Sequence, residues 1–397
     1  MKKKFKVNLL VKILIAIALG IGCGQFFPPW GAGIFVTFNG IFGQLLGFLI
    51  PLIILGFVAP AIADVGRNAG KILVITAAIA YLFTSLAGFY SFGVGAWLFP
   101  GIVAPRAMSH DVMAGHDIEP FFTIEIPPLM SVMTALVLAF MLGICMALLK
   151  SETLKKVCDE FRDVISMTIG KVIIPLLPIY IFGIFLNMTM AGDVAAVLGT
   201  FAGIIGIIFA MHILLLVFQY VIAFFFSGKN PFRALLTMMP AYFTALGTQS
   251  SAATIPVTLR QTVRMGVSED IAGFVIPLCA TIHMSGSAMK IVACALAIMI
   301  MEGLPYDASM FAGFILMLGV SIVAAPGVPG GAIMASLGIL GSMLGFGQSE
   351  QALMIALYIT MDSFGTACNV TGDGAIALII DRFFGNSRNP IPPAARM

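Results

Sequence analysis

The sequence predicts an all-α integral membrane protein with eight transmembrane helices and two re-entrant helical hairpins. Composition gives the class: of 397 residues 60% are hydrophobic and only 10% charged, with a mean hydropathy of +1.07, far from soluble averages. Long apolar runs give the spans. The placement of lysine and arginine gives their parity and sidedness.

Runs long enough to cross a hydrocarbon core, about 20 residues or more, occur near 8–27, 35–62, 72–101, 128–149, 168–190, 195–226, 271–300 and 350–380. The first follows MKKKFK, which resembles the basic start of a signal peptide. No small-residue cleavage site follows and the run continues to Phe27, so it reads as a membrane helix. Two further segments, 231–260 and 307–345, are apolar but broken midway, at Thr248, Gln249, Ser250 and Ser251 and at APGVPGG (325–331). With the lysine-rich N-terminus in the cytoplasm, the loop of Arg67 and Lys71, the linker 149–163, the turn 227–233 and the tail after Arg382 are cytoplasmic too. Of 21 lysines and arginines, only Arg106 then falls on the opposite face and only Lys290 lies mid-segment. That bias places both termini on the cytoplasmic side of the inner membrane and requires each broken segment to enter and leave on one side. Two kinked crossings would keep the same parity, but the serine cluster and the double Pro-Gly break favour hairpins. Non-helical backbone at membrane depth is tolerated only inside protein or beside a watery cavity, so both tips face a site. Six scattered cysteines indicate neither a disulfide framework nor a zinc site, and a net charge of +3 gives nucleic-acid binding no support.

The last span is the costly one. It carries Asp362 and Asp373, and each carboxylate costs roughly 2.5–3.5 kcal/mol at the centre of a bilayer helix. Tyr358, Asp362, Gly365, Thr366, Asn369 and Asp373 recur at helical spacing and form one stripe. The span before it places His283, Ser285, Gly286, Ser287 and Lys290 in an otherwise apolar helix. Gly286 between two serines predicts local unwinding that frees the carbonyls of Cys279, Thr281 and His283 for a cation, with Asp373 as counter-charge. His283 is also a candidate proton carrier, with a plain hydrogen bond to a neighbour as the simpler reading. Lys290 needs a partner, either Asp362 or a substrate carboxylate.

Four stretches in this order, TQSSAATIPVT (248–258), PLCATIHMSGSA (277–288), PGVPGGAIM (326–334) and ACNVTGD (367–373), resemble the motifs of the dicarboxylate/amino acid:cation symporter family, the glutamate transporter-like proteins. The resemblance covers essentially the whole chain. It implies an elevator-type transporter with inverted repeats, assembled as a homotrimer. Residues 1–226 would be mainly scaffold, with the third and sixth helices shared, and 227–397 the transport core. By position it implies that Ser250, Ser251, the Val328 carbonyl, Ser287, Thr366 and Asn369 surround the substrate carboxylate, and that Asp362 binds a substrate amino group. It further implies one sodium site at Asp373 with carbonyls of Cys279, His283 and Asn369, and a second on carbonyls of Thr281, Ser321, Ile322 and Ala324.

Three departures bear on that transfer. The family's N-M-D-G-T is His283 to Ser287 here, so a sodium site that in relatives adds this aspartate to the equivalents of Tyr81, Thr84 and Ser85 lacks its carboxylate. The arginine that grips an acidic side chain is Gly365, which points to a small neutral substrate. Lys290 stands where a tyrosine is usual and Tyr358 where an aspartate is usual, so an acidic substrate stays open through Lys290. The expectation is a symporter of a small amino acid or dicarboxylate, embedded in lipid and coupled to sodium, with protons as a second coupling ion. An intramembrane aspartyl protease built on Tyr306, Asp307, Gly372 and Asp373 is the enzymatic alternative, weakened by Val370 in the first Gly position. A passive channel is the third.

Overall fold

The computed structural model describes residues 9–67, 71–103, 118–192, 194–323, 325 and 330–385. Among them there is no strand. The helices in order are α1 (Leu9–Gly24), α2 (Pro29–Arg67), α3 (Lys71–Leu98), α4 (Val132–Leu149), α5 (Glu152–Thr168), α6 (Ile174–Met190), α7 (Val194–Ser227), α8 (Pro231–Thr248), α9 (Ser251–Arg264), α10 (Glu269–Ile282), α11 (Ser285–Met301), α12 (Ala308–Val323), α13 (Gly331–Leu344), α14 (Gln348–Thr360) and α15 (Asp362–Phe384). Six stretches of the described chain are long and apolar enough to cross a membrane: Pro29–Ala63, Lys71–Gly101, Glu152–Met190, Phe201–Ser227, Glu269–Met301 and Asp362–Phe384. Shorter apolar helices accompany them, among them α1, α12 and α13. The chain is a multi-pass membrane protein by length and composition.

The expected linker 149–163 is instead helical from Glu152. Ser151 caps α5 by accepting the Leu154 N–H at 3.3 Å, and Asp159 pairs with Lys155 at 2.7 Å and Arg162 at 3.1 Å along one face. A π-turn at Ile169–Ile173 then joins α5 to α6.

Both broken segments fold back on themselves. Asn230 caps α8 with Pro231 behind it, Gln249 turns the chain at φ 53°, and Ser250 caps α9. In the second pair Asp307 accepts the Met310 N–H at 2.9 Å at the start of α12, and Gly330 at φ 79° opens α13. Ala324 and Val328, at the tip between them, lie outside the described residues.

Two long apolar spans are interrupted, the first close to the predicted unwinding and the second where the sequence reads as one continuous helix. The break between α10 and α11 falls at His283 and Met284, one turn before the predicted unwinding at Gly286, which lies in the first turn of α11. The first N–H groups of a helix have no partner within it. Here Thr84 accepts from Met284 at 3.2 Å, and Asn369 Oδ1 accepts from Gly286 at 2.8 Å and Ser287 at 3.3 Å. The last span breaks at Met361, which leaves Tyr358 on α14 and makes Asp362 the first residue of α15.

The helices pack in two groups. α1 lies on α6, and α2 on α4, α5 and α6, whereas α8 to α15 pack on one another and on α3 and α7, with α12, α13 and α14 also meeting α1, α2, α4 and α6. α11 is buried along its whole length, which is why a charge on it cannot reach water. Asn230→Ala should cost about 1 kcal/mol of stability through the lost cap, read as a lower Tm in detergent, with Asn230→Asp largely preserving it.

Candidate functional site

The stripe on α15 meets α11 at the two helix breaks. Lys290 Nζ lies 2.9 Å from Asp362 Oδ1, with side-chain exposures of 0% and 6%. The ammonium also donates to the Met361 carbonyl at 3.4 Å and sits 3.5 Å from the centroid of the Tyr358 ring. The second oxygen of Asp362 accepts the Gly330 N–H at 2.9 Å, which ties the start of α13 to the start of α15. Gly365 makes room for this arrangement. A Cβ there would stand 2.7 Å from Lys290 Nζ and 2.9 Å from its Cε.

One turn further, Asn369 Nδ2 and the Tyr358 hydroxyl both donate to Ser287 Oγ at 3.1 Å. The first hairpin reaches the same place, because Gln249 Nε2 donates to Ser363 Oγ at 2.7 Å. Ser250 and Ser251 follow Gln249 at that tip, and Thr366 is buried one turn along α15 from Asp362. Ser250, Ser251, Ser287, Lys290, Asp362, Gly365, Thr366 and Asn369 thus gather around the beginning of α15. Of the substrate residues expected, Val328 alone falls outside the described chain.

Deeper along α15, Asp373 Oδ1 accepts from His283 Nδ1 at 2.9 Å, with side-chain exposures of 1% and 0%. The other carboxylate oxygen is buried without a partner, as are Thr371 Oγ1, Gln219 Oε1 and His283 Nε2. Among the described residues no three of His, Cys, Asp and Glu converge, so a cation here would rest on Asp373 and neutral oxygens, a donor set that suits a hard monovalent ion. The Cys279 carbonyl accepts the His283 N–H at 2.9 Å and the Ile322 carbonyl the Ala325 N–H at 2.9 Å, leaving one lone pair on each. Thr281 is exposed with its hydroxyl on the Leu278 carbonyl, Ser321 is buried with an unpartnered hydroxyl, and Ala324 is not described. Asp307 of the protease alternative is an exposed helix cap, remote in character from buried Asp373.

Three residues of α7 join the site without having been singled out. Gln219 Nε2 donates to Ser285 Oγ at 2.9 Å, His212 Nε2 to the Gly286 carbonyl at 3.3 Å, and Tyr220 to the Thr371 carbonyl at 2.8 Å. At spacings of i, i+7 and i+8 they form a polar stripe on an apolar helix, a signal present in the sequence. Gly372 lets Gln219 and His283 approach, since a Cβ there would lie 2.5 Å from Gln219 Oε1 and 2.6 Å from His283 Cε1.

A family model described as the sodium:dicarboxylate symporter family matches residues 9–383. The chain belongs to that family. It is similar to the serine/threonine transporter SstT of Acinetobacter baumannii strain ATCC 17978, at 26% identity over 95% of this chain and 97% of the relative. The SstT protein of strain AYE is similar to the same extent, 26% over 95% and 97%. Gly365 leaves no room for an added side chain beside Lys290. Lys290 is held by three groups and has no slack, so Gly365→Ala should cost about 1–3 kcal/mol in thermal unfolding, and adding Lys290→Met to it should recover part of that loss.

Proposed function

We propose that the chain is a secondary active symporter that carries a small amino acid or dicarboxylate across the cytoplasmic membrane, driven by sodium. The observation that carries this reading is the convergence of two helix-pair tips on the start of α15, one at Ser363 and one at the compensated buried carboxylate Asp362, with a second carboxylate, Asp373, deeper on the same helix. Paired interrupted segments that meet at membrane depth are a signature of transporter sites. The family's description and the serine/threonine relatives support the same function.

In this reading Asp373 Oδ2 faces the coupling sodium, with carbonyls of Cys279, His283 and Asn369. Carbonyls of Thr281, Ser321, Ile322 and Ala324 would form a second site. α8 with α9 and α12 with α13 are re-entrant hairpins, and α10 with α11 and α14 with α15 are the broken spans that follow each of them. That repeated order supports inverted repeats, eight spans and cytoplasmic termini. The two packing groups support a scaffold drawn from α1, α2, α4, α5 and α6 and a moving core of α8 to α15 carried with α3 and α7. Trimer assembly and elevator motion belong to the same proposal, and no enzymatic step is required of any residue.

Purified protein in proteoliposomes should accumulate substrate only under an inward sodium gradient. A pH gradient that alone drives uptake would move the coupling to protons, and uptake indifferent to both gradients would contradict symport.

A further inference from the structure

Among the described residues only two carboxylates are buried, Asp362 and Asp373, and only Asp362, whose two oxygens are both engaged, lies where the helix-pair tips meet. Asp373 lies deeper on α15, with one oxygen on His283 at 2.9 Å and the other left to the coupling ion in the symport reading. Asp362 spends one oxygen on Lys290 and the other on the Gly330 N–H, both at 2.9 Å. The Lys290 ammonium, for its part, fills its three donor directions with Asp362, the Met361 carbonyl and the face of Tyr358. The pair is shut from water, and the ammonium lies where a side chain at Gly365 would otherwise be. A ligand ammonium brought to the helix-pair tips would find Asp362 already saturated by Lys290 and Gly330, and would have to displace the Lys290 ammonium or be desolvated without compensation.

We propose that Lys290 is a built-in ammonium that occupies the amine position of the site, and that the substrate is therefore a small carboxylate with no amino group. This rests on the symport reading above and narrows it to one of its two substrate classes. It also sets the chain apart from the relatives it is similar to, which are named for two amino acids. Lys290 is then the specificity-determining residue: its charge excludes the amine, while the hydroxyls and N–H groups around the start of α15 remain to receive the carboxylate.

The test uses the full chain in proteoliposomes under a sodium gradient, with substrates paired so that each pair differs by one amino group: succinate and aspartate, glutarate and glutamate, 3-hydroxypropionate and serine. Thermal stabilisation of the purified protein by each compound gives an independent binding readout. The wild type should favour the amine-free member by about tenfold or more, the scale of one charged hydrogen bond. Lys290→Met, which leaves Asp362 unpaired, should shift that preference toward the amine-bearing member by a similar factor. Should that variant fail to fold, Lys290→Met with Asp362→Asn removes both charges and should treat the two members alike. A wild type that prefers the amine-bearing members, or takes both equally, overturns the assignment while leaving symport intact. Sodium-driven uptake of none of them, with no stabilisation, contradicts the symport reading and the substrate assignment together.

Discussion

The ion pair between Lys290 and Asp362 determines how the surrounding helices can be arranged. Two charges at membrane depth are tolerated only in contact, and the contact draws in everything that touches them. Asp362 sits at a helix start, where the last span breaks at Met361, and the Met361 carbonyl, which also accepts the Gly365 N–H at 3.1 Å, is a further acceptor for Lys290. Tyr358, left on α14 by that break, turns its ring face to the ammonium and its hydroxyl to Ser287. Gly365 must lack a side chain, and Gly330 must offer its N–H. One interaction therefore links α11, α13, α14 and α15.

The second buried carboxylate follows a different logic. Asp373 meets an imidazole instead of an ammonium and keeps an oxygen without a partner, beside other unpartnered polar atoms on α7, on α15 and at the His283 break. Buried polar atoms in native proteins are almost always satisfied, so a cluster of orphans marks a place that a small ion or water completes. In the function proposed above, the saturated pair would serve substrate selection and the incomplete one ion coupling.

Much of this was legible in the sequence, and the limits have physical causes. The costly residues announced themselves, because a carboxylate or ammonium in an apolar span has few innocent explanations. Both hairpin tips were visible for the same reason, as polar breaks in apolar runs. The stripe from Asp362 to Asp373 is one face of a helix. Tyr358, counted on that stripe, belongs to the preceding helix, because hydrophobic periodicity cannot show a one-residue break at Met361. The interruption at His283 was misplaced by one turn, since the groups that stabilise it are Thr84 and Asn369, about 200 and 83 positions away. The partner of Lys290 was left open between a neighbour and a ligand because sequence distance carries no spatial distance. The 149–163 segment looked like a linker from its charge, yet that charge lines a capped helix.

The measurement that bears most directly on this account is a double-mutant cycle on the pair, by reversible unfolding in detergent. Lys290→Met and Asp362→Asn should each cost about 3–5 kcal/mol, the loss expected when one partner of a buried pair is removed, and together they should cost less than either alone. Losses that simply add would show that the two charges do not depend on each other, and would remove the interaction on which the site has been built.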